Sequence, residues 1–250
     1  MKLKSIIYLL IEKLLAPWTD KIVCISIAEK ESAKREKIGN EKKLVLIPNG
    51  IDISKVKEAV AIPRHILGIS DNTYVVGMIG RVSPQKAPDV FIKAAKLIQT
   101  SIPDSAFIIV GDGEEVEDIK EFAKQNNLKL IITGWTDQPY SYLKVFDVAL
   151  LLSRWEGFGL AIVEYMAAEK NVVASRVDAI PTLIDDGKDG LLVDVDNPED
   201  ACAKVLWLYN HPNEAFEMRK KALAKVYENY DINRVVSQHI ELFKELYSSK

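Results

Sequence analysis

The sequence contains little cysteine, and its positive charge is not clustered. The two cysteines, Cys24 and Cys202, lie far apart, and neither has a second cysteine or a histidine at the spacing of a zinc site. We expect both to be reduced core residues, as in a cytoplasmic protein. The formal net charge of -3, with lysine and arginine scattered along 250 residues, argues against a nucleic-acid-binding protein, which usually has a basic face.

Long hydrophobic runs are also missing from the sequence. The N-terminal stretch MKLKSIIYLLIEKLLAPW is interrupted by Glu12 and Lys13, and no small-residue cleavage site follows it, which argues against a signal peptide. The apolar run is also too short to span a bilayer. We predict an amphipathic helix that packs on protein. The alternative is a peripheral contact with the inner face of a membrane through Lys2, Lys4 and Lys13.

From residue 73 onward, the apolar residues follow a regular alternation. Short runs rich in β-branched residues, apolar on both faces, are separated by polar loops and helical stretches, which predicts an α/β fold with a doubly wound, parallel, Rossmann-like sheet. We predict strands at 74–79, 106–110, 129–132, 148–152, 171–175 and 190–194. We predict intervening helices at 89–100, 114–125, 139–145, 158–169 and 179–185.

The two ends of the chain do not continue this alternation. Near the N-terminus we predict a helix, a strand at 20–26 that belongs to a different sheet, a helix at 28–37, and a short strand at 43–47 that starts or joins the large sheet. From Pro198 the chain is predicted to be helical, with breaks near residues 211 and 230. These patterns divide the chain into segments 1–40, 41–229 and 230–250.

Polar, glycine-containing loops follow four of the predicted strands. In a doubly wound sheet, ligands bind beyond the carboxyl ends of the strands, so these loops mark a candidate site. The loops are GRVSPQK, GDGEE, TGWTDQ and SRWEGFG, which begin at residues 80, 111, 133 and 153.

The SRWEGFG loop opens a predicted helix, and its residue types suit a phosphate and a sugar. Free N–H groups at a helix start favour an anion, and Gly157 and Gly159 let the anion approach closely. In the helix, two alanines share the face of Glu164, and no lysine or arginine stands at ion-pair spacing from it. Its carboxylate therefore suits adjacent sugar hydroxyls, and Glu156 suits a second sugar. The alternative is that both glutamates are solvated charges.

The GRVSPQK loop adds Arg81 and Lys86 beside Gly80. An arginine can bind a phosphate through two hydrogen bonds, and a lysine adds a compact charge. Two fixed cations would stabilise the charge that builds on a departing diphosphate. The alternative is that both are solvated surface charges.

Taken together and in order, these segments resemble a known enzyme family. GRVSPQK, VGDGEE, TGW and EGFGLAIVE, with its Glu-x7-Glu spacing, resemble the retaining GT-B-fold glycosyltransferases of family 4, also called glycosyl transferases group 1. DKIVCISIAEKE and LIPNGIDISK are similar to the lead-in segments of that family. Each motif alone is weak, but the ordered set covers nearly the whole chain and is specific.

The resemblance implies a reaction and a role for each site residue. The family moves a sugar from a nucleotide-sugar donor to an acceptor hydroxyl with retention, often in polysaccharide biosynthesis, and needs no metal or other cofactor. Arg81, Lys86 and Glu156 match the catalytic residues at the donor diphosphate and sugar, and Glu164 matches the residue that binds the ribose hydroxyls. Other implied donor contacts are Gly80, Gly111, Gly113, Gly134, Trp135, Gly157, Phe158, Gly159 and Leu160.

The resemblance is incomplete at two places. Ala87 and Pro88 follow the lysine, where the family usually has glycine. Segment 1–40 matches only the last elements of the family's N-terminal, acceptor-side domain. We therefore expect this chain to supply the donor half of the cleft, with a glycan or lipid-linked acceptor. The alternative is a non-catalytic nucleotide-sugar-binding or partner-dependent subunit, completed by a complementary N-terminal domain or by self-association.

Two further motifs point to other chemistry but do so weakly. Asp194-Val195-Asp196 has the DxD form of metal-dependent glycosyltransferases. It directly precedes Asn197-Pro198, so we interpret it as a turn and a helix cap. GDGEEV has Val116 where the dinucleotide-binding fingerprint requires its third glycine, which argues against a nicotinamide-dependent dehydrogenase.

Overall fold

The computed structural model describes residues 3–248 of the chain, and the side chains of residues 6–248. The strands in this range are β1 (Ile22–Cys24), β2 (Leu44–Leu46), β3 (Tyr74–Ile79), β4 (Ser105–Val110), β5 (Leu130–Ile132), β6 (Val148–Leu151), β7 (Asn171–Ser175) and β8 (Leu191–Val193). The α-helices are α1 (Leu3–Leu15), α2 (Ile27–Arg35), α3 (Ile53–Glu58), α4 (Pro88–Ser101), α5 (Val116–Gln125), α6 (Pro139–Leu143), α7 (Leu160–Ala167), α8 (Ile180–Leu183), α9 (Pro198–Asn210), α10 (Pro212–Asn229) and α11 (Ile232–Ser248).

The large sheet is parallel, with the strand order β5-β4-β3-β6-β7-β8. The chain winds outward from β3 through β4 to β5 and then returns to β6, which pairs with the other side of β3. This order confirms the predicted doubly wound parallel sheet. The direction of winding changes between β3 and β6, and ligands bind at the carboxyl ends of the strands beside such a switch point.

Helices cover both faces of this sheet. On one face, α4, α5 and α9 pack against strand residues such as Met78 and Phe107. On the other face, α3, α7 and α10 pack against strand residues such as Ile108 and Leu151. Because the sheet is buried on both sides, its strands are apolar at successive positions rather than at alternate ones.

The short strand β2 lies in a separate, two-stranded sheet, where it pairs in parallel with β1. The prediction that segment 43–47 starts or joins the large sheet is therefore wrong. Leu44 of β2 is buried against Cys24 and Ala33, so the strand shares its small core with β1 and α2. A three-residue apolar strand carries no information about which sheet it pairs with. The division at residues 40 and 229 stays a prediction.

The C-terminal helix α11 packs against this small sheet. Its buried residues Val235 and Leu242 contact Ile47, with Val23 and Val45 at the edge of the cluster. The chain thus returns from the large sheet to the N-terminal strands. Two backbone hydrogen bonds fix the return, from Ile51 N–H to the carbonyl of Tyr230 and from Ile232 N–H to the carbonyl of Ile51.

Helix α1 leaves most of its apolar side chains exposed. Tyr8, Leu10 and Leu14 are exposed on α1, and Trp18 is exposed just after it. Of the lysines predicted to contact a membrane, Lys2 and the side chain of Lys4 lie outside the described residues. None of the helices in residues 3–248 has the length and apolarity needed to cross a membrane.

The two cysteines agree with their predicted state. Cys24 and Cys202 are both free and buried. Burial raises the pKa of both thiols, and nearby glutamates raise it further, so both are poor nucleophiles.

Gly77 marks the closest packing inside the large sheet. A Cβ atom built on it would overlap the ring of Phe146, which precedes β6. We predict that Gly77→Ala lowers the free energy of unfolding by about 1–3 kcal/mol, because overpacking displaces the ring. In urea unfolding, the double variant with Phe146→Leu should lose less stability than the sum of the two single losses. Additive losses would show that the ring is not the obstacle.

Candidate functional site

The carboxyl ends of β3 and β6 bring Lys86 and Glu156 into direct contact. Lys86 Nζ lies 2.7 Å from Glu156 Oε2, and the hydroxyl of the buried Ser153 donates to the same oxygen at 3.1 Å. The side chains of Lys86 and Glu156 are only 17% and 11% exposed. At this burial each charge depends on the other, because a lone charge would be poorly solvated.

Gly80 lets the lysine stem cross the end of β3. A Cβ atom on Gly80 would lie 3.5 Å from Lys86 Cε, so the stem passes directly over this residue. Gly80 itself adopts a φ of +155°, at the limit of what other residues tolerate. The predicted association of a glycine and a lysine on this loop is thus present in the structure.

Glu164 projects from α7 towards Tyr140 on α6. The Tyr140 hydroxyl donates to Glu164 Oε1 at 2.8 Å. Burial raises the pKa of Glu164, and the tyrosine hydrogen bond lowers it by less, so the net shift is upward. Burial and the glutamate charge raise the pKa of Tyr140, which therefore stays protonated as a donor. Tyr140 is a site residue that the sequence motifs did not indicate.

Tyr165, next to Glu164, anchors α7 to the end of β3. Its buried hydroxyl accepts from Ile79 N–H at 2.7 Å and donates to the Ile79 carbonyl at 3.3 Å. This contact fixes the helix that carries Glu164 relative to the strand that leads to Lys86.

The loop before α7 exposes backbone on one side and is anchored in the core on the other. Phe158 is buried and packs edge-to-face on Tyr230 at a centroid distance of 5.9 Å. Its ring therefore anchors the loop in the core. A Cβ atom on Gly157 would meet no atom within 4 Å, so the loop is open there. Gly159 has a φ of +96°, which allows α7 to begin at Leu160 rather than at the predicted residue 158.

A cavity of about 410 Å³, here called the rim cavity, lies where β3 and β4 end. It is lined by Ile79, Gly80, Arg81, Val110, Gly111, Asp112, Trp135, Thr136 and Pro139. Trp135 is 81% exposed, so its indole ring is free to pack on a ligand. Gly111 must be glycine, because its φ is +150° and a Cβ atom would overlap the carbonyl of Gly80. Gly134 pairs with Gly111 but is not among the residues that line the cavity.

Arg81 is not gathered with the other predicted catalytic residues. Its side chain is 74% exposed, and its Nε lies 3.4 Å from Glu114 Oε2. Arg81 does line the rim cavity, whereas Gly113 does not, because Gly113 packs against the backbone of Val82. The direction of a long exposed side chain is set by its neighbours in space, which a motif does not reveal.

A second cavity, here called the α2 cleft, has a volume of about 600 Å³. It is lined by Ser26, Ala28, Glu29, Glu31, Ser32, Arg35, Trp155, Glu156, Gly157, Asp178 and Ala179. Asp178 Oδ2 accepts from the N–H of Glu156 at 2.9 Å, so it orients that residue from the cleft wall. Asp178 was missed from the sequence because its loop matches no motif. Lys86 thus lies between the two cavities. Its stem contacts Gly80, which lines the rim cavity, and its Nζ contacts Glu156, which lines the α2 cleft.

The DxD segment contributes to the loop structure. Asn197 caps α9 by accepting from Asp200 N–H, and Asp196 Oδ1 accepts from Arg154 at 2.7 Å. The cap was predicted, whereas the arginine contact was not. In the described part of the chain, no three His, Cys, Asp or Glu side chains form a group that could hold a metal ion.

Comparisons with known proteins agree on one family. The sequence model of "Glycosyl transferases group 1" matches residues 62–225. The chain is 32% identical over 254 residues to an Escherichia coli protein named UDP-Gal:alpha-D-GlcNAc-diphosphoundecaprenol alpha-1,3-galactosyltransferase, covering 98% of this chain and 65% of that protein. The chain spans 40 to 65% of the length of the first curated relatives that it matches.

Solved structures share the fold. Anabaena Alr3699/HepE in complex with UDP-glucose superposes with a TM-score of 0.87 at 22% identity, over 96% of this chain and 68% of that one. A variant of TarM from S. aureus, in complex with Fondaparinux, alpha-GlcNAc-glycerol and UDP, superposes with a TM-score of 0.79 at 25% identity, over 96% of this chain and 46% of that one.

The upward shift of the Glu164 pKa predicts how stability depends on pH. The folded state holds this proton more tightly than the unfolded chain does, so the contribution of Glu164 to stability falls as pH rises through its folded pKa. We predict that the stability of Glu164→Gln relative to the wild type is higher at pH 7 than at pH 4, because the wild type loses the contribution of this proton as pH rises. Urea unfolding at the two pH values measures the gain.

The matched control for this measurement is Glu169→Gln, which changes an exposed glutamate just beyond α7. The control should not reproduce the gain. A stability difference for Glu164→Gln that stays constant or reverses sign between the two pH values would contradict the upward shift.

Proposed function

Because the chain belongs to the glycosyl transferases group 1 family, we propose that it supplies the donor-binding half of an enzyme that moves a sugar from a nucleotide-sugar to an acceptor hydroxyl with retention. The observation that carries this proposal is the position of Lys86. One cation joins the rim cavity, through Gly80, to the α2 cleft, through Glu156. A nucleotide diphosphate linked to a sugar has the matching layout, with its negative charge between two uncharged ends.

The nucleoside end of the donor suits the rim cavity. Trp135 offers an exposed aromatic face for a base, and Gly80 and Gly111 line the cavity without side chains. The ribose hydroxyls suit Glu164, which uses Oε1 to accept from Tyr140 and has Oε2 for another donor. Hydrogen bonds to an ionised carboxylate are stronger than those between neutral groups.

The diphosphate suits Lys86 and the first turn of α7. The loop is open at Gly157, and the N–H groups at the start of α7 have no side-chain cap. Arg81 would have to leave Glu114 to join them. An exposed ion pair of this kind contributes only about 0–1 kcal/mol, so the exchange costs little.

The proposed reaction breaks the bond between the anomeric carbon and the diphosphate oxygen and forms a bond from the same carbon to the acceptor oxygen. We propose attack on the same face as the leaving group, whose oxygen takes the proton of the acceptor hydroxyl. Glu156 Oε2 already accepts hydrogen bonds from Lys86 and Ser153, which disfavours its action as a free carboxylate nucleophile. Lys86 and the α7 amides would stabilise the departing charge, so the proposed step requires no metal or other cofactor.

The acceptor suits the α2 cleft, which opens beside Glu156. The E. coli relative is named for a sugar linked to diphosphoundecaprenol, and the TarM variant was solved with a glycan. We therefore propose a glycan or lipid-linked acceptor in polysaccharide biosynthesis, which is consistent with a cytoplasmic enzyme that contacts the membrane peripherally. A complementary N-terminal domain or self-association would supply the rest of the acceptor site.

A thermal-shift panel of UDP-, GDP- and ADP-sugars tests the proposal. We predict that at least one donor raises the melting temperature in a concentration-dependent manner, because a ligand that binds the folded state stabilises it. Lys86→Met, Glu156→Gln, Glu164→Ala and Arg81→Ala should each weaken the affinity by about tenfold or more, the loss expected for one charge-assisted contact.

The controls are Lys120→Met and Glu121→Ala, which change exposed charges on α5 and should leave the affinity unchanged. The donor site would be contradicted if no donor changed the melting temperature. It would also be contradicted if all four site variants bound the donor with wild-type affinity. Donor binding without turnover, even after a complementary N-terminal domain is added, would favour the non-catalytic alternative.

A further inference from the structure

Arg154 joins three loops at the carboxyl edge of the large sheet. Its Nη2 donates to both carboxylate oxygens of Asp89, at 2.9 and 2.8 Å, and its Nη1 donates to the Pro84 carbonyl at 2.9 Å. Its Nε donates to Asp196 Oδ1 at 2.7 Å. The guanidinium thus connects the loops after β3, β6 and β8.

Backbone contacts reinforce this connection beside the candidate site. The N–H of Arg154 donates to the Gln85 carbonyl at 2.8 Å, and Gln85 Nε2 donates to the Trp155 carbonyl at 3.0 Å. Lys86 follows Gln85 directly, and Glu156 follows Trp155 directly. These contacts, in addition to the ion pair, hold together the segments that present the lysine and the glutamate.

The β3–α4 loop needs such an external attachment. It ends at Ala87 with a φ of +49°, and helix α4 begins without a side-chain cap. Asp89 lies in the first turn of α4 and is the residue to which the guanidinium attaches. Burial favours the neutral form of Asp89, but Arg154 outweighs this effect and holds the pKa of the carboxyl below its usual value. The pair is therefore ionised at neutral pH.

Arg154 lines neither the rim cavity nor the α2 cleft, as the described residues define them. Its side chain is 26% exposed, and its contacts are with protein groups. It therefore lies outside the two cavities to which the donor and acceptor are assigned. We expect its effect on donor binding to pass through Lys86 and Glu156.

We propose that Arg154, anchored on Asp89, is a positioning residue that holds Lys86 against Glu156 so that both meet the donor diphosphate and sugar together. The ligand in this proposal rests on the proposed function. The effect of Arg154 on the coupling between Lys86 and Glu156 does not require a ligand. The planar guanidinium uses its three nitrogens to hold Asp89, the Pro84 carbonyl and Asp196 at once, which the single ammonium of a lysine would not do.

The first experiment measures this coupling without any ligand. A double-mutant cycle of Lys86→Met and Glu156→Gln, followed by urea unfolding, gives their interaction free energy in the wild type and again in the Arg154→Met background. We expect the coupling to fall to roughly half or less in that background. If Arg154→Met lowers stability but leaves the coupling unchanged, Arg154 has only a structural role and the proposal is overturned.

The second experiment measures donor affinity by thermal shift with the nucleotide-sugar that stabilises the wild type most. We expect Arg154→Met to weaken affinity about fivefold or more in the wild type but less than about twofold in the Lys86→Met background, because both changes act on one contact. Equal losses in both backgrounds would overturn the proposal. If no nucleotide-sugar binds the wild type, the proposed function fails, while the ligand-free coupling still decides the role of Arg154.

Two further variants separate positioning from general damage to the fold. Asp89→Asn keeps the shape of the anchor but removes its charge, and it should reproduce the loss of coupling. It replaces Arg154→Met in the cycle if Arg154→Met does not fold. Arg154→Lys should restore only part of the coupling. The matched control is Arg176→Met, which breaks another arginine–aspartate pair, with Asp186, after β7 and should leave the coupling between Lys86 and Glu156 intact.

Discussion

The ion pair between Lys86 and Glu156 is the contact on which the arrangement of the candidate site depends. Its two members come from loops after β3 and β6, the strands that flank the switch point of the sheet. The two side chains are only 17% and 11% exposed, so neither charge is well solvated without the other. Separating the two loops would therefore cost free energy. Under the proposed function, this pair is where the phosphate and the sugar of the donor would meet the protein.

The remaining parts of the site follow from close packing around this pair. The Lys86 stem crosses the end of β3 over Gly80, and the backbone at Gly111 approaches the Gly80 carbonyl too closely for any side chain. Tyr165 ties α7 to the end of β3, and Tyr140 satisfies one oxygen of Glu164. At this edge of the sheet, buried polar contacts thus lie beside glycines with positive φ.

Much of the fold followed from sequence pattern, because a sheet covered on both faces needs strands that are apolar throughout. β3 and β7 were predicted to the residue for this reason. The partner of β2 could not be predicted, since three apolar residues pair equally well with either sheet. The site loops could be located from strand ends and glycines, but the turn of Arg81 towards Glu114 and the contact between Tyr140 and Glu164 depend on neighbours distant in sequence.

The most direct test of the central claim is a crystal structure of this chain with the nucleotide-sugar that stabilises it most. The account predicts the base in the rim cavity beside Trp135, the diphosphate within hydrogen-bond distance of Lys86, and the sugar next to Glu156. A nucleotide bound elsewhere, or one bound with its diphosphate remote from Lys86 while the ion pair stays unchanged, would contradict it.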